Sequence, residues 1–100
     1  MKMYILVRDS LPIGHALVAV AHASLGCYLK FRDAPEVHEW LNGPFRKVVC
    51  KVTDGEFARA KNVPDHVVMT ESQLEGAEVA LAFKPREVWD KSFQHFRLYR

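Results

Sequence analysis

Two histidines interrupt an apolar, small-residue run, GHALVAVAHASLG, that extends from Gly14 to Gly26. Imidazole is the side chain whose ordinary pKa lies nearest neutrality, so His15 and His22 are the groups of this run suited to general-base work or to hydrogen bonding a reacting atom. Seven residues of α-helix turn through about 700°, which returns to within roughly 20° of the start. Both rings therefore belong to one helix face, about 10.5 Å apart along the axis. Ala19 and Gly26 share that face, which makes a shallow strip with an imidazole near each end. Gly14 and His15 fall in the first turn, where free backbone N–H groups attract anions or carbonyl oxygens. A phosphate or an ester carbonyl suits such a place, with His22 as base or hydrogen-bonding partner. The plain alternative is that His22 packs internally against a backbone carbonyl while His15 is merely exposed. A metal site fits poorly, because ligands two turns apart do not share one ion and i, i+4 is the usual pairing.

The elements that would position these residues follow from periodicity and punctuation. MYILV, Met3 to Val7, reads as a buried first strand. A helix starting near Pro12 carries the histidines and runs to about Phe31, with Leu17, Val20, Cys27, Tyr28 and Phe31 as the bulk of its core side. PEVHEWLNG reads as a second helix opened by Pro35 and closed by Asn42-Gly43. RKVVCKV, Arg46 to Val52, is a β-branched second strand. Thr53 or Asp54 caps a short third helix through Lys61, with Glu56 in its first turn. His66 to Thr70 and Glu78 to Phe83 are two further strands. Pro85 opens a last helix through about Phe93, and the tail HFRLYR adds a short extended piece. The order β-α-α-β-α-β-β-α predicts an α/β fold, a three-layer α/β/α sandwich around a four-stranded mixed sheet.

The chain has 100 residues, 49% hydrophobic and 26% charged, with a formal net charge of +2. This suits a single globular domain over residues 1–100. The charge bias permits a nucleic-acid partner without arguing for one. Cys27 and Cys50 have neither CxxC nor zinc spacing, so they read as buried free thiols in a reducing compartment. Arg8 and Asp9 break the front of the chain, and the apolar run Ala16 to Ala21 is too short for a secretory core or a membrane span. A cytoplasmic protein with no membrane association is expected.

The same stretch carries a resemblance. GHALVAVAHASLG is similar to the helix motif, approximately G-K-x-A-A-Q-x-A-H-A-A, of the archaeal and eukaryotic type of peptidyl-tRNA hydrolase. RKVVCKVTD resembles that family's K-V-V-x-K-x-x-D strand and turn, ARAKNVPDHVV its helix-then-strand segment, GAEVALAFKP its last strand and HFRLYR its closing segment. Nearly the whole chain is covered. The family's helix lysine falls on His15, its glutamine on Ala19 and its aspartate after the third strand on Thr70. Its threonine-glutamine pair falls on Ser72-Gln73, and the loop D-A-G-R-T-Q is shortened to T-E-S-Q. These departures, with ALVAVAHA, KNVPDH and the F-R-L ending, are similar to the divergent peptidyl-tRNA hydrolase domain-containing proteins of animals.

The resemblance implies cleavage of the ester between a peptide and the tRNA 3′ end, with tRNA as partner, a homodimer, and neither metal nor organic cofactor. It implies that His22 positions or activates water and that the N–H groups around Gly14 and His15 receive an oxyanion or phosphate. Ser72 stands for the family threonine, and Lys61 contacts phosphate. His15 replaces the lysine either protonated or as a neutral donor. Thr70, Glu71 and Gln73 line the substrate side. Glu71 restores the lost carboxylate only if the short loop shifts register, since residues 70 and 71 of one strand point to opposite faces. Bland readings accompany these roles: a cation at a helix end suits the dipole, polar residues populate turns, and edge strands use lysine against aggregation. Arg46 and Lys47 could equally bind RNA backbone. The alternatives to an active hydrolase are a catalytically impaired RNA- or protein-binding module on the same fold, and a hydrolase of another ester or amide.

Overall fold

A computed structural model describes all 100 residues. Strand β1 (Met3–Arg8) leads through a short loop into α1 (Ile13–Phe31), then α2 (Pro35–Asn42) and β2 (Lys47–Val52). Helix α3 (Asp54–Ala60) precedes β3 (His66–Glu71), a 3₁₀ turn over Ser72–Leu74, β4 (Ala77–Phe83), a second 3₁₀ turn over Lys91–His95, and β5 (Arg97–Leu98). The strands form one open mixed sheet in the order β3-β4-β1-β2-β5. β1 pairs with β2 in parallel, Met3 opposite Lys47 through Arg8 opposite Val52. β4 runs antiparallel to both β1 and β3.

Alternation along the strands divides the core between the two faces of the sheet. Met3, Ile5, Val7, Ala80 and Ala82 point toward α1 and Trp40 of α2. Tyr4, Leu6, Cys50, Val52, Leu81 and Phe83 point toward Phe57 and Ala60 of α3 and toward Phe93. Helices thus cover both faces. α1 meets the sheet through Ala16, Ala19, Ala23 and Cys27, small residues that let helix and strands approach closely. Leu17, expected in the core, is instead 65% exposed, and Tyr28 and Phe31 are only partly buried. The small residues take the inner face, and the larger ones flank it or face outward. No helix is long and apolar enough to cross a membrane.

Two expectations are corrected. The sheet has five strands, not four, because Arg97 and Leu98 of the tail pair antiparallel with Lys51 and Cys50. A two-residue exposed strand leaves no alternation to read in the sequence. The helix expected from Pro85 to Phe93 does not form. Arg86 bridges back to Lys2 in an extended conformation, and only a 3₁₀ turn follows, with the Asp90 carboxylate accepting the Ser92 N–H at 2.9 Å. Trp89 and Phe93 still meet, at 4.9 Å between centroids, and both pack edge-on against Tyr4. Their spacing signalled a shared aromatic cluster rather than an α-helix. The other elements lie within about two residues of expectation, including α3 with Thr53 at its N-cap. Both cysteines are free and buried.

Candidate active site

The N-terminus of α1 has Pro12 at its N-cap, no side-chain cap and no acidic residue in its first turn. The first N–H with an intrahelical partner is that of Ala16, which donates to Pro12 O at 3.0 Å. The N–H groups of Ile13, Gly14 and His15 are therefore the free donors of this helix end. Gly14 is exposed, and a Cβ placed there would meet nothing within 4 Å, so a ligand has room to approach the backbone.

One flank of α1 lies against β3. A Cβ on Gly26 would sit 2.6 Å from Met69 Cε, so the glycine lets helix and strand close together. α1 runs antiparallel to β3, as the 2.9 Å bond from Lys30 Nζ near its C-terminus to His66 O at the start of β3 shows. Four residues back from Gly26, about 6 Å of helix rise, is His22. Two residues forward from Met69, about 6.6 Å of strand, is Glu71. His22 thus lies one turn before Gly26 on the flank of α1 that packs on β3, and Glu71 lies two residues beyond Met69 on that strand, both bordering the groove between the two elements. His22 is exposed and His15 half-exposed. Of the five histidines only His66 makes a hydrogen bond, from Nδ1 to the Val63 carbonyl, so both helix imidazoles have their nitrogens open to a ligand.

Glu71 is fixed at the groove's far wall. Its Oε1 accepts the Gln73 N–H at 3.0 Å, which opens the 3₁₀ turn carrying Ser72 and Gln73. Glu75 at φ 57° and Gly76 at φ 75° reverse the chain into β4, a left-handed pair for which glycine is the natural second residue. Leu74 packs into the α1-side core and anchors the turn there. Ser72 and Gln73 are exposed beside it.

Lys61 and Thr70 lie elsewhere. Thr70 pairs with Glu78 across a bulge that falls between Met69 and Thr70, and the alternation of β3 turns it away from Glu71. Lys61, at the end of α3, holds Glu78 Oε1 at 2.6 Å. The fold therefore puts His22 on the flank of α1 that packs on β3, with Glu71, Ser72 and Gln73 at and just beyond the end of that strand, and Gly14 and His15 farther up the same helix. It groups Lys61 with Thr70 on the α3 side. Sequence reasoning missed Glu78, the carboxylate opposite Thr70, and Arg8, whose Nη1 donates to Glu78 O at 2.9 Å. Arg8 also places Nε 3.2 Å from Asp54 Oδ1 and its guanidinium 4.9 Å from the Phe57 ring centroid. Its one available signal was its place at the C-terminal end of a strand parallel to its neighbour. No group of three His, Cys, Asp or Glu side chains is arranged to hold a metal ion.

The chain matches the family model described as peptidyl-tRNA hydrolase PTH2 over residues 1–99. A peptidyl-tRNA hydrolase of Methanopyrus kandleri (strain AV19) is 35% identical over 77 residues, which is 67% of this chain and 66% of the archaeal protein. The helix motif, the strand order that carries it and the match along the chain agree: this protein belongs to the PTH2 family of peptidyl-tRNA hydrolases.

Proposed function

We propose that this chain, as a single domain over residues 1–100, hydrolyses the ester between a peptide and the 3′ end of its tRNA. Family membership supports the reaction, and one observation supports the site: the flank of α1 that carries His22 packs on β3 at Gly26 and Met69, and that strand ends in Glu71 and Ser72. In this reading His22 takes a proton from water as the water oxygen bonds to the ester carbonyl carbon. Glu71 favours the imidazolium that results. Ser72 and the Gln73 amide donate to the developing oxyanion. Collapse of the tetrahedral intermediate breaks the ester C–O bond, and the proton passes from His22 to the departing 3′ oxygen. The free N–H groups at Gly14 and His15, two turns away, receive a tRNA phosphate. Lys61 contacts phosphate from the far side of the sheet. Gln73 lines the substrate beside the groove, and Thr70 shares the far face with Lys61.

The experiment is release of labelled acyl-amino acid from N-blocked aminoacyl-tRNA. His22→Ala lowers kcat by about 10²- to 10³-fold in a folded protein, the usual worth of one general base, and Glu71→Gln lowers it less. Wild-type turnover retained by His22→Ala would remove His22 from the chemistry. Wild-type protein that binds tRNA without turnover would instead favour the binding module.

The same proposal includes a cytoplasmic homodimer. Its supports are the two reduced cysteines and the exposed apolar residues Val18, Leu25 and Leu29 along the outer face of α1.

A further inference from the structure

Helix α1 lies mainly over β3, β4 and β1 and leaves the same face of β2 half-exposed, with Val49 packed at the edge of the α1-side core. Alternation puts Lys47, Val49 and Lys51 on that open face, while Val48, Cys50 and Val52 enter the α3-side core. The tail continues the surface. Arg97 pairs with Lys51, and the Tyr99 N–H donates to Val49 O at 2.8 Å. Between α1 and this edge runs a cleft of about 260 Å³, lined by Ala16, Leu17, Val20, Val49 and Tyr99. Lys51, Arg97 and Arg100 border a second hollow just outside it.

The charge on this strip is one-sided. Lys47, Lys51, Arg97 and Arg100 belong to it, and the ion pair among them is Arg97 to Asp9, at 3.1 Å. Lys47 and Lys51 lie over aromatic rings instead of against acids, at 3.3 Å from the Phe45 centroid and 4.8 Å from that of Tyr99. Lys61, Lys84 and Arg8, by contrast, are paired with Glu78, Glu36 and Asp54. Lys47, Lys51 and Arg100 thus form a group of cations without acidic partners along one sheet edge. Cations set beside an apolar cleft with a tyrosine ring on its rim match a strand that alternates phosphates with flat bases. β2 lies three strand spacings from β3, about 14 Å, within reach of an unpaired RNA end whose ester occupies the His22 groove.

We propose that the open face of β2 and β5 is a second binding surface for the tRNA substrate, holding its phosphodiester backbone through Lys47, Lys51 and Arg100. It rests on the hydrolase reading for the identity of the RNA. The test is binding of fluorescent deacylated tRNA across a sodium chloride series. The pair Lys51→Glu with Arg100→Glu raises Kd at least about tenfold and flattens the plot of log K against log salt by about two, one for each phosphate left without its cation. Lys91→Glu, half that charge change, lies in the turn on the opposite face and leaves the slope unchanged. Hydrolysis of a short N-acyl-aminoacyl-adenosine is the same in all variants. Glutamine at both positions reproduces the flattened slope in a milder form that keeps the fold. Unchanged slopes in both pairs, or an equal loss in Lys91→Glu, would overturn the surface, as would tighter binding of an acidic peptide than of tRNA. Wild-type protein that fails to bind tRNA at low salt would overturn it too. Binding that depends on Lys51 and Arg100 in a protein that hydrolyses nothing would remove the hydrolase reading and leave the surface standing.

Discussion

Cys27 and Cys50 are fully buried on opposite sides of one sheet, Cys27 under α1 and Cys50 under α3. Burial pushes the Cys27 thiol up to about 12, against the pull of Lys30 and Arg86. Burial, helped by the charge of Glu56, pushes Cys50 up to about 11. In the unfolded chain both ionise near 9. The protonated thiols therefore contribute stability that is complete below about pH 9 and is lost as pH rises through 11 to 12. The urea midpoint is expected to fall across that window, and to fall less steeply in a Cys27→Ala, Cys50→Ala double variant. An equal fall in both proteins would assign alkaline unfolding to other groups. At this same scale the site was half legible. Heptad spacing put His15 and His22 on one face without knowledge of any strand. That Glu71 rather than Thr70 takes the α1 side of the sheet depended on the register of β3, which one sequence does not carry.

Helix α3 shows how much a short element owes to its first turn. The Thr53 hydroxyl accepts the Glu56 N–H at 3.1 Å, and Glu56 Oε1 accepts the Thr53 N–H at 2.8 Å. This reciprocal cap holds a seven-residue helix that delivers Phe57 and Ala60 to the core and Asp54 to Arg8. Thr53→Ala is expected to cost about 1 kcal/mol by chemical denaturation, and Thr53→Ser to recover most of it. A cost near zero would mean that core packing alone sets the helix. α3 was readable because T-D-G-E is a local signal answered by local bonds. The segment after Pro85 misled for the opposite reason. Its proline and its Trp89–Phe93 spacing are local, but its conformation is set by distant partners, Lys2 and Tyr4. Lys61 was likewise clear as a helix terminus, yet the face it serves is decided by how α3 crosses the sheet.

Over the whole molecule, the outer side of α1 carries a row of exposed apolar side chains. Val18 is 45%, Leu25 59% and Leu29 52% exposed along one stripe. A two-fold partner would bury this stripe against its own copy, since a closed dimer joins like patches. Sedimentation at micromolar concentration is expected to give a dimer for the wild type and a monomer for Leu25→Glu, with unchanged circular dichroism. A wild-type monomer under the same conditions would refute the dimer.

β1 holds the middle place in a sheet ordered β3-β4-β1-β2-β5, and it precedes both of its partner strands in the chain. Its β2 side is met by residues 47–52, but its other side waits for β4, where Ile5 faces Ala82 and Val7 faces Ala80. Until residues 77–83 have been made, MYILV therefore presents an unsatisfied apolar edge, the kind of surface that recruits other nascent chains. Closing it brings Ile5 to Ala82 from far along the chain, which slows that step of folding. The run that makes the mature core secure is thus the one most exposed to misassembly during synthesis, and residues 77–83 are its release from that risk.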